Sequence, residues 1–146
     1  KLQERCGIPN DFPKKAELSA DFIYQMIDEF GAQSTFYKKY FINSVSPLGF
    51  IKNGKNLNYY DTPALIKSLD SFIVQSLRRQ LALGISRKTA FCLGEGTNYK
   101  YLSKLNEKEK FFERIIPLAH PRFIMQYRRK FVEEYIDDYL EKLGSV

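Results

Sequence analysis

Short apolar segments that alternate with amphipathic segments constrain the fold of this 146-residue chain more than any other feature. "KTAFCLG" (88–94) and "RIIPLAH" (114–120) are apolar runs of strand length, as expected for strands covered on both faces. "FYKKYFINSV" (36–45) is rich in aromatic and β-branched residues and predicts a third strand that ends near Asn43. Strands that alternate with helices require right-handed crossovers, so we predict a three-layer α/β domain with a central parallel sheet flanked by helices.

Helical periodicity, capping residues and glycine stops delimit the remaining elements. In chain order they are a helix over 16–31, a β-hairpin turning at Asn53-Gly54, a helix opened by Asp61-Thr62-Pro63 and closed by Gly84, a helix capped by Thr97, and a last helix over 126–144. The opening segment "KLQERCGIPNDFPKK" reads like the interior of a longer protein. We therefore predict a single domain over residues 1–146 that is incomplete at its N-terminus and lacks its N-terminal strand.

Composition narrows the class of partner. The net charge of +6, from 23 basic and 17 acidic residues, favours a polyanionic partner such as nucleic acid. No apolar run is long enough to span a bilayer and no signal-peptide pattern is present, so we predict a cytoplasmic protein without a membrane partner, and we expect a monomer. Cys6, Cys92 and a single histidine form neither a disulfide framework nor a metal-ligand set, so we predict no metal and no cofactor.

Distinctive polar residues follow each predicted strand. The first strand is followed by "INSVSP", the second by "LGEGT" and the third by "AHPR". In an open parallel sheet, ligands bind outside the carboxyl ends of the strands. We therefore expect Asn43, the Gly94–Thr97 turn and His120 to lie along one edge of the sheet and to form the functional site.

Asn43 is a candidate for base recognition. An asparagine amide offers one acceptor and two donors, so it can read both a carbonyl and an N–H on the edge of a base. Alternatively, a strand-end asparagine can hydrogen-bond the backbone of its own loop. The following "SVSPLG" can position a phosphate through hydroxyl and backbone N–H groups, which makes Ser46 and Pro47 candidate DNA contacts, or it can simply be a turn.

The segment "GEGT" (94–97) precedes a predicted helix, and Gly94, Gly96 and Thr97 are candidate DNA contacts. Its glycines allow close backbone approach, and a helix N-terminus favours anions. The segment has neither the lysine and spacing of a Walker loop nor the GxGxxG pattern, so it does not indicate a nucleotide cofactor. A contact to DNA phosphate and a solvent-exposed turn both fit these residues.

His120 is the only histidine, and it follows the last predicted strand. With an unperturbed pKa of about 6.5, an imidazole can donate a hydrogen bond in either charge state. Pro121 stiffens the next segment, where Arg122 precedes an apolar tip at Phe123 and Ile124. Such a tip can enter the base stack of DNA as a wedge, but the same residues can instead begin the last helix.

Taken together, these segments resemble the uracil-DNA glycosylase superfamily, and within it the bacterial members of the single-strand-selective monofunctional branch. "YFINSVSPLGFIKNGKNLNYYDTPAL" is similar to the segment of that branch in which a strand-end asparagine precedes a "CPL"-type turn, a "GRNLTP"-like stretch and a long helix. "ALGISRKTAFCLGEGTNYKYLSKL" is similar to its strand and glycine turn, and "RIIPLAHPRF" to its second signature, a strand ending in His-Pro. The similarity covers nearly the whole chain in the same order.

The resemblance implies a repair enzyme that flips uracil or a related damaged base out of single- or double-stranded DNA and hydrolyses its N-glycosidic bond. Asn43 matches the asparagine that reads the uracil edge and excludes cytosine. His120 matches the histidine that stabilises the negative charge developing on the departing uracil. Residues 121–125 match the element that enters the duplex and fills the vacated space.

Two departures from the family pattern affect these expectations. His-Pro-Arg-Phe replaces the common His-Pro-Ser-Pro, which affects the expected insertion into duplex DNA. The first signature, which positions the attacking water, is absent, and Asp11 has no supporting strand before it. We therefore expect this chain alone to be severely impaired in catalysis. A non-catalytic nucleic-acid-binding domain of the same fold, or an α/β domain that binds a small phosphorylated ligand at the glycine turn, stay open as alternatives.

Overall fold

The computed structural model describes residues 17–145. Sequence predictions that concern Cys6 and Asp11 fall outside this range. The regular elements are α1 (Leu18–Glu29), α2 (Gln33–Lys39), β1 (Phe50–Lys52), β2 (Lys55–Leu57), α3 (Pro63–Leu81), β3 (Thr89–Leu93), α4 (Thr97–Glu109), β4 (Arg114–Leu118), α5 (Pro121–Tyr127), a short 3-10 turn (Arg129–Phe131) and α6 (Val132–Gly144). Within residues 17–145, no helix is both long and apolar enough to cross a membrane.

The strands β3 and β4 pair in parallel, with Leu93 opposite Leu118 at their carboxyl ends. Their side chains alternate between two hydrophobic clusters, one on each face of the sheet. Core cluster A contains Phe22, Met26, Ile27, Phe36, Leu118, Ala119, Ile124, Met125, Ile136, Tyr139 and Leu143. Core cluster B contains Tyr59, Leu69, Ile73, Val74, Leu77, Cys92, Leu102, Leu105 and Phe111.

The alternation of β3 places Phe91 and Leu93 against cluster A, whereas Cys92 belongs to cluster B. Helices α1, α2, α5 and α6 supply the other side chains of cluster A, and α3 and α4 supply most of cluster B. Helices therefore cover both faces of the sheet, and the predicted three-layer α/β architecture is confirmed.

The hairpin and the long helix are also confirmed. Strands β1 and β2 are antiparallel, and both turn residues have positive φ, 51° at Asn53 and 73° at Gly54, as a type I′ turn requires. Helix α3 begins after Thr62, whose hydroxyl oxygen accepts a hydrogen bond from the backbone N–H of Leu65 at 3.2 Å. It ends before Gly84, which has φ +89°.

The strand predicted over 36–45 is wrong. The first half of this segment belongs to helix α2, and the chain becomes extended at Tyr40 without pairing in a strand within residues 17–145. The helix presents Phe36 and Tyr40, four residues apart, to cluster A. There, the Tyr40 hydroxyl donates to the carbonyl oxygen of Leu143 at 2.7 Å. Packing against a distant helix thus overrides the β propensity of the aromatic residues.

Strand β4 lies within the predicted run 114–120 and continues through Pro117 to Leu118. One boundary near the C-terminus differs from the sequence predictions. The helix predicted over 126–144 is two helices, α5 and α6, separated by the 3-10 turn. Consequently, the residues after His120 form a helix rather than a loop.

Candidate active site

The candidate site lies where β3 and β4 end. The backbone N–H of Gly94 donates to the carbonyl oxygen of Leu118 at 2.8 Å, which extends the pairing one residue past β3. This bond brings the glycine turn after β3 beside His120 after β4. The structure therefore unites two of the three strand-end segments that the sequence predicts at one edge of the sheet.

His120 is the N-cap residue of α5, and its Nδ1 accepts a hydrogen bond from the backbone N–H of Arg122 at 3.1 Å. An accepting Nδ1 carries no proton, so the neutral ring carries its proton on Nε2. Partial burial lowers the pKa of His120 from its usual value, the charge of Arg122 lowers it further, and Glu17 opposes the shift. At neutral pH the imidazole is therefore an uncharged donor.

Gly94 is adjacent to this imidazole. Its φ is +120°, a backbone conformation that side-chain-bearing residues rarely adopt. A Cβ atom on Gly94 would lie 3.4 Å from Cδ2 of His120, the ring carbon bonded to Nε2. Glycine is therefore required here by its backbone conformation, whereas an added Cβ atom would make ordinary van der Waals contact with the histidine ring.

Buried tyrosines hold both strand ends in place. The hydroxyl of Tyr139, which is fully buried on α6, donates to the carbonyl oxygen of Ala119, immediately before His120. On the opposite face, the hydroxyl of Tyr59 donates to Oδ1 of Asn98, whose amide nitrogen lies 3.3 Å from Sγ of Cys92. The sequence did not reveal these residues, because tyrosine and asparagine at such positions carry no local signal of their distant partners.

Cys92 and Tyr59 do not act as acids or nucleophiles at neutral pH. Burial raises the pKa of the Cys92 thiol to about 11, against a smaller opposing effect of the Asn98 hydrogen bond. Burial is also the main reason that the pKa of Tyr59 lies far above its usual value. This network therefore serves to position the glycine turn.

Asn43 is exposed, and its Oδ1 accepts a hydrogen bond from the backbone N–H of Ser44 at 2.7 Å. This is the local loop contact that the sequence left as the alternative to base recognition. Pro47 is exposed, whereas the hydroxyl of Ser46 is buried and lacks a hydrogen-bond partner within residues 17–145. The Ser46 hydroxyl is therefore inaccessible to a phosphate in this conformation. Val45, the residue before Ser46, packs against cluster B.

The predicted cap of α4 is off by one residue. Gly96 is the N-cap, and Thr97 is the first helical residue, with no side-chain cap hydrogen bond at this end of the helix. Both residues are exposed, as is Glu95 in the same turn. A carboxylate among these exposed groups disfavours close binding of a phosphate at the turn itself.

The predicted apolar tip after His120 is mostly interior. Pro121 and Ile124 are buried in the protein core, so burial removes both from the predicted DNA-contacting surface. Arg122 and Phe123 are exposed on α5. The alternation follows from the helix, since its inward residues fill cluster A and its outward residues face solvent.

Across residues 17–145, no group of three or more histidine, cysteine, aspartate or glutamate side chains is placed to hold a metal ion. The chemistry available at the strand ends is that of a neutral imidazole and backbone amides. Such groups donate and accept hydrogen bonds at a developing charge.

The parallel strands are covered by helices on both faces, and His120 follows the end of β4. The model of the Uracil DNA glycosylase superfamily matches residues 12–144, and the chain belongs to this superfamily. It is similar to the crystal structure of wild-type SMUG2 from Pedobacter heparinus, with a TM-score of 0.91 and 46% sequence identity. The match covers 99% of this chain and 64% of that chain, so this chain spans somewhat less than two thirds of its length. A comparison with curated proteins found no match.

Proposed function

We propose that this chain contributes the base-recognition and leaving-group half of a DNA glycosylase that releases uracil or a related base by hydrolysing the N-glycosidic bond. Membership of the superfamily supports this function, and the observation that carries it is the neutral His120 with its proton on Nε2. The proposed partner is uracil-containing DNA, single- or double-stranded. A monomeric state and a cytoplasmic location stay predictions.

In the proposed reaction, the bond between the sugar C1′ and the base nitrogen breaks, and its electron pair moves onto the base. A water molecule adds to C1′, and the proton that it gives up ends on the nitrogen of the released base. The negative charge that develops on the base oxygen accepts a hydrogen bond from Nε2–H of His120. One preorganised donor of this kind typically accelerates a reaction about 10²–10³-fold.

Arg122 fixes this donor through its backbone. Because its N–H occupies Nδ1, rotation or tautomerisation of the imidazole would break the N-cap hydrogen bond of α5. The lowered pKa of His120 keeps the ring neutral at pH 7, so the donor carries no positive charge before the base arrives.

Asn43 is proposed to read the base. Its Oδ1 retains one lone pair after accepting from Ser44, and its amide nitrogen has two protons to donate. An amide that accepts from a ring N–H and donates to a carbonyl fits the edge of uracil. Cytosine presents an amino group and an unprotonated ring nitrogen at those positions, so the same amide rejects it.

The proposed DNA contacts are the exposed residues Pro47, Gly96, Thr97, Arg122 and Phe123 and the backbone of Ser46. Gly94 is buried and its N–H bonds Leu118, so it shapes the turn and does not contact DNA. The excess of positive charge on the chain favours a polyanion at this surface. Pro121 and Ile124 act from the interior by holding α5 in place.

Oligonucleotides that carry one uracil, single- or double-stranded, would test the function, with abasic sites revealed by alkaline cleavage. His120→Asn is the informative variant, because asparagine retains the capping ability of this position but removes the imidazole. We expect His120→Asn to fold normally and to lower the rate of uracil release about 10²–10³-fold. Because this chain alone is expected to be severely impaired, His120→Asn and the unaltered sequence are compared in the intact protein. Binding of DNA by the intact protein without release of any modified base would refute the enzyme and favour a non-catalytic DNA-binding domain.

A further inference from the structure

The outward face of α5 carries large rings that remain open to solvent. Phe123 is 43% exposed and Tyr127 is 63% exposed. Exposed rings that join into one patch indicate a binding surface, whereas isolated exposed rings do not. His120 caps the same helix, and Phe123 and Tyr127 follow it at successive spacings of three and four residues, which places them along one face.

The two rings form a pair. Phe123 and Tyr127 are four residues apart, so they lie on one face of the helix. Their centroids are 5.8 Å apart with an interplanar angle of 44°. The guanidinium carbon of Arg128 lies 5.8 Å from the centroid of Phe123, in a cation–π contact. We call Phe123, Tyr127 and Arg128 the aromatic platform.

The platform is fixed from beneath. Ile124 and Met125, on the inward face of the same helix, are buried in cluster A. Residues held on a packed helix lose little conformational freedom when a ligand binds. Ile124 and Met125 cannot enter a base stack as an apolar wedge, because their side chains are buried in the protein core.

Charge around the platform is asymmetric. From His120 to Val132 the chain carries four basic and no acidic residues, and Arg122, Arg128, Arg129 and Lys130 are all exposed. Acidic side chains line the neighbouring cleft, where Glu95, Glu134 and Asp138 lie near Arg128. A phosphate backbone would therefore follow the basic side of α5 and avoid that cleft.

We propose that the aromatic platform stacks an unpaired base of the DNA strand, next to the nucleotide held at His120. This proposal rests on the proposed function only for the position of the nucleotide at His120. Aromatic rings stack every base, because each base has a π-face, and arginine adds a cation–π contact. A base that is paired in a duplex has no free face to offer, so the platform favours single-stranded segments.

The proposal can be tested by binding, without base release. The probe is a single-stranded oligonucleotide with a non-hydrolysable uracil analogue and a neighbouring 2-aminopurine, whose fluorescence is quenched by stacking. The chain contains no tryptophan to interfere. We expect Tyr127→Ala to lose the quenching and to bind the oligonucleotide at least about fivefold more weakly. This factor corresponds to the lower end of the free energy gained by stacking one base on an aromatic side chain. Tyr127→Phe should retain both, because it keeps the ring.

Salt dependence separates stacking from simple charge attraction. Tyr127→Ala should leave the slope of log K against log salt concentration unchanged, whereas Arg129→Ala should reduce the slope by about 0.7 if it meets one phosphate. Phe72→Ala, which removes another partly exposed ring from the distant helix α3, is the matched control and should change neither quenching nor affinity.

Equal quenching and affinity in Tyr127→Ala and the unaltered protein would overturn the platform. So would an equal loss of affinity for fully paired duplex, which would indicate a backbone contact, or binding of this surface to protein instead of DNA. If the intact protein never releases a base but Tyr127→Ala still loses quenching, the platform stands and the glycosylase function fails.

Discussion

Replacing Gly94 by alanine tests the close approach between the glycine turn and His120. The new Cβ would lie 3.4 Å from Cδ2 and 3.9 Å from Cβ of His120, and 4.0 Å from Cβ of Asn98. These are near-optimal carbon–carbon separations, so the methyl group itself causes little steric repulsion. The strain lies in the backbone instead, because φ +120° costs an L-residue about 1–2 kcal/mol.

Gly84→Ala is the matched control. Gly84 also has positive φ, +89°, but a Cβ atom added to it would have no neighbour within 4 Å. We therefore expect both variants to lose about 1–2 kcal/mol of unfolding free energy. For a chain of this length, that loss lowers Tm by roughly 3–6 °C.

Only Gly94→Ala should alter His120. Its methyl group would remove water from the ring edge beside Nε2, and desolvation further disfavours the charged imidazolium. The pKa of His120 should therefore fall below that of the unaltered chain. Because the chain has one histidine, a tag-free sample gives a single imidazole signal, and its NMR titration measures this pKa directly. An identical His120 titration in Gly94→Ala, Gly84→Ala and the unaltered chain would refute the close approach.

Two further predictions concern pH and the strand end. Because the pKa of His120 is lowered on folding by burial and by Arg122, the unfolded chain binds this proton more strongly. The contribution of His120 to the unfolding free energy should be complete above the unfolded pKa of about 6.5 and should decline as pH falls towards the folded pKa. Urea titrations would contradict this if the unfolding free energies of the unaltered chain and of His120→Asn showed the same pH dependence. Tyr139→Phe should lower the unfolding free energy measured by urea denaturation by about 1–3 kcal/mol, because it leaves the carbonyl of Ala119 without its donor. Tyr127→Phe removes an exposed hydroxyl and should lower it by less than about 0.5 kcal/mol. A similar loss in both tyrosine variants would exclude a role of the buried hydroxyl.

Local rules explain what the sequence predicts well. The Asn53-Gly54 turn needs only two residues that tolerate positive φ, and the start of α3 needs only Thr62 followed by proline. The apolar runs of β3 and β4 report burial on both faces, which a parallel strand requires. The polar residues that end these strands are therefore predictable as neighbours, and Gly94 and His120 are neighbours in the structure.

Other features depend on partners that are distant in sequence. Whether 36–45 is a strand depends on a neighbouring strand to pair with, and the aromatic residues there find cluster A and the carbonyl of Leu143 instead. The same holds for α5, whose helical backbone turns Ile124 into the core and Phe123 towards solvent.

Residue type and position along the chain thus determined the layers of the fold and the candidate histidine. Only the tertiary structure decided that this histidine is a neutral donor, because its tautomer depends on the N–H of Arg122 and its pKa on what surrounds the ring. Protonation and exposure follow from three-dimensional distance and desolvation, and a one-dimensional pattern contains neither.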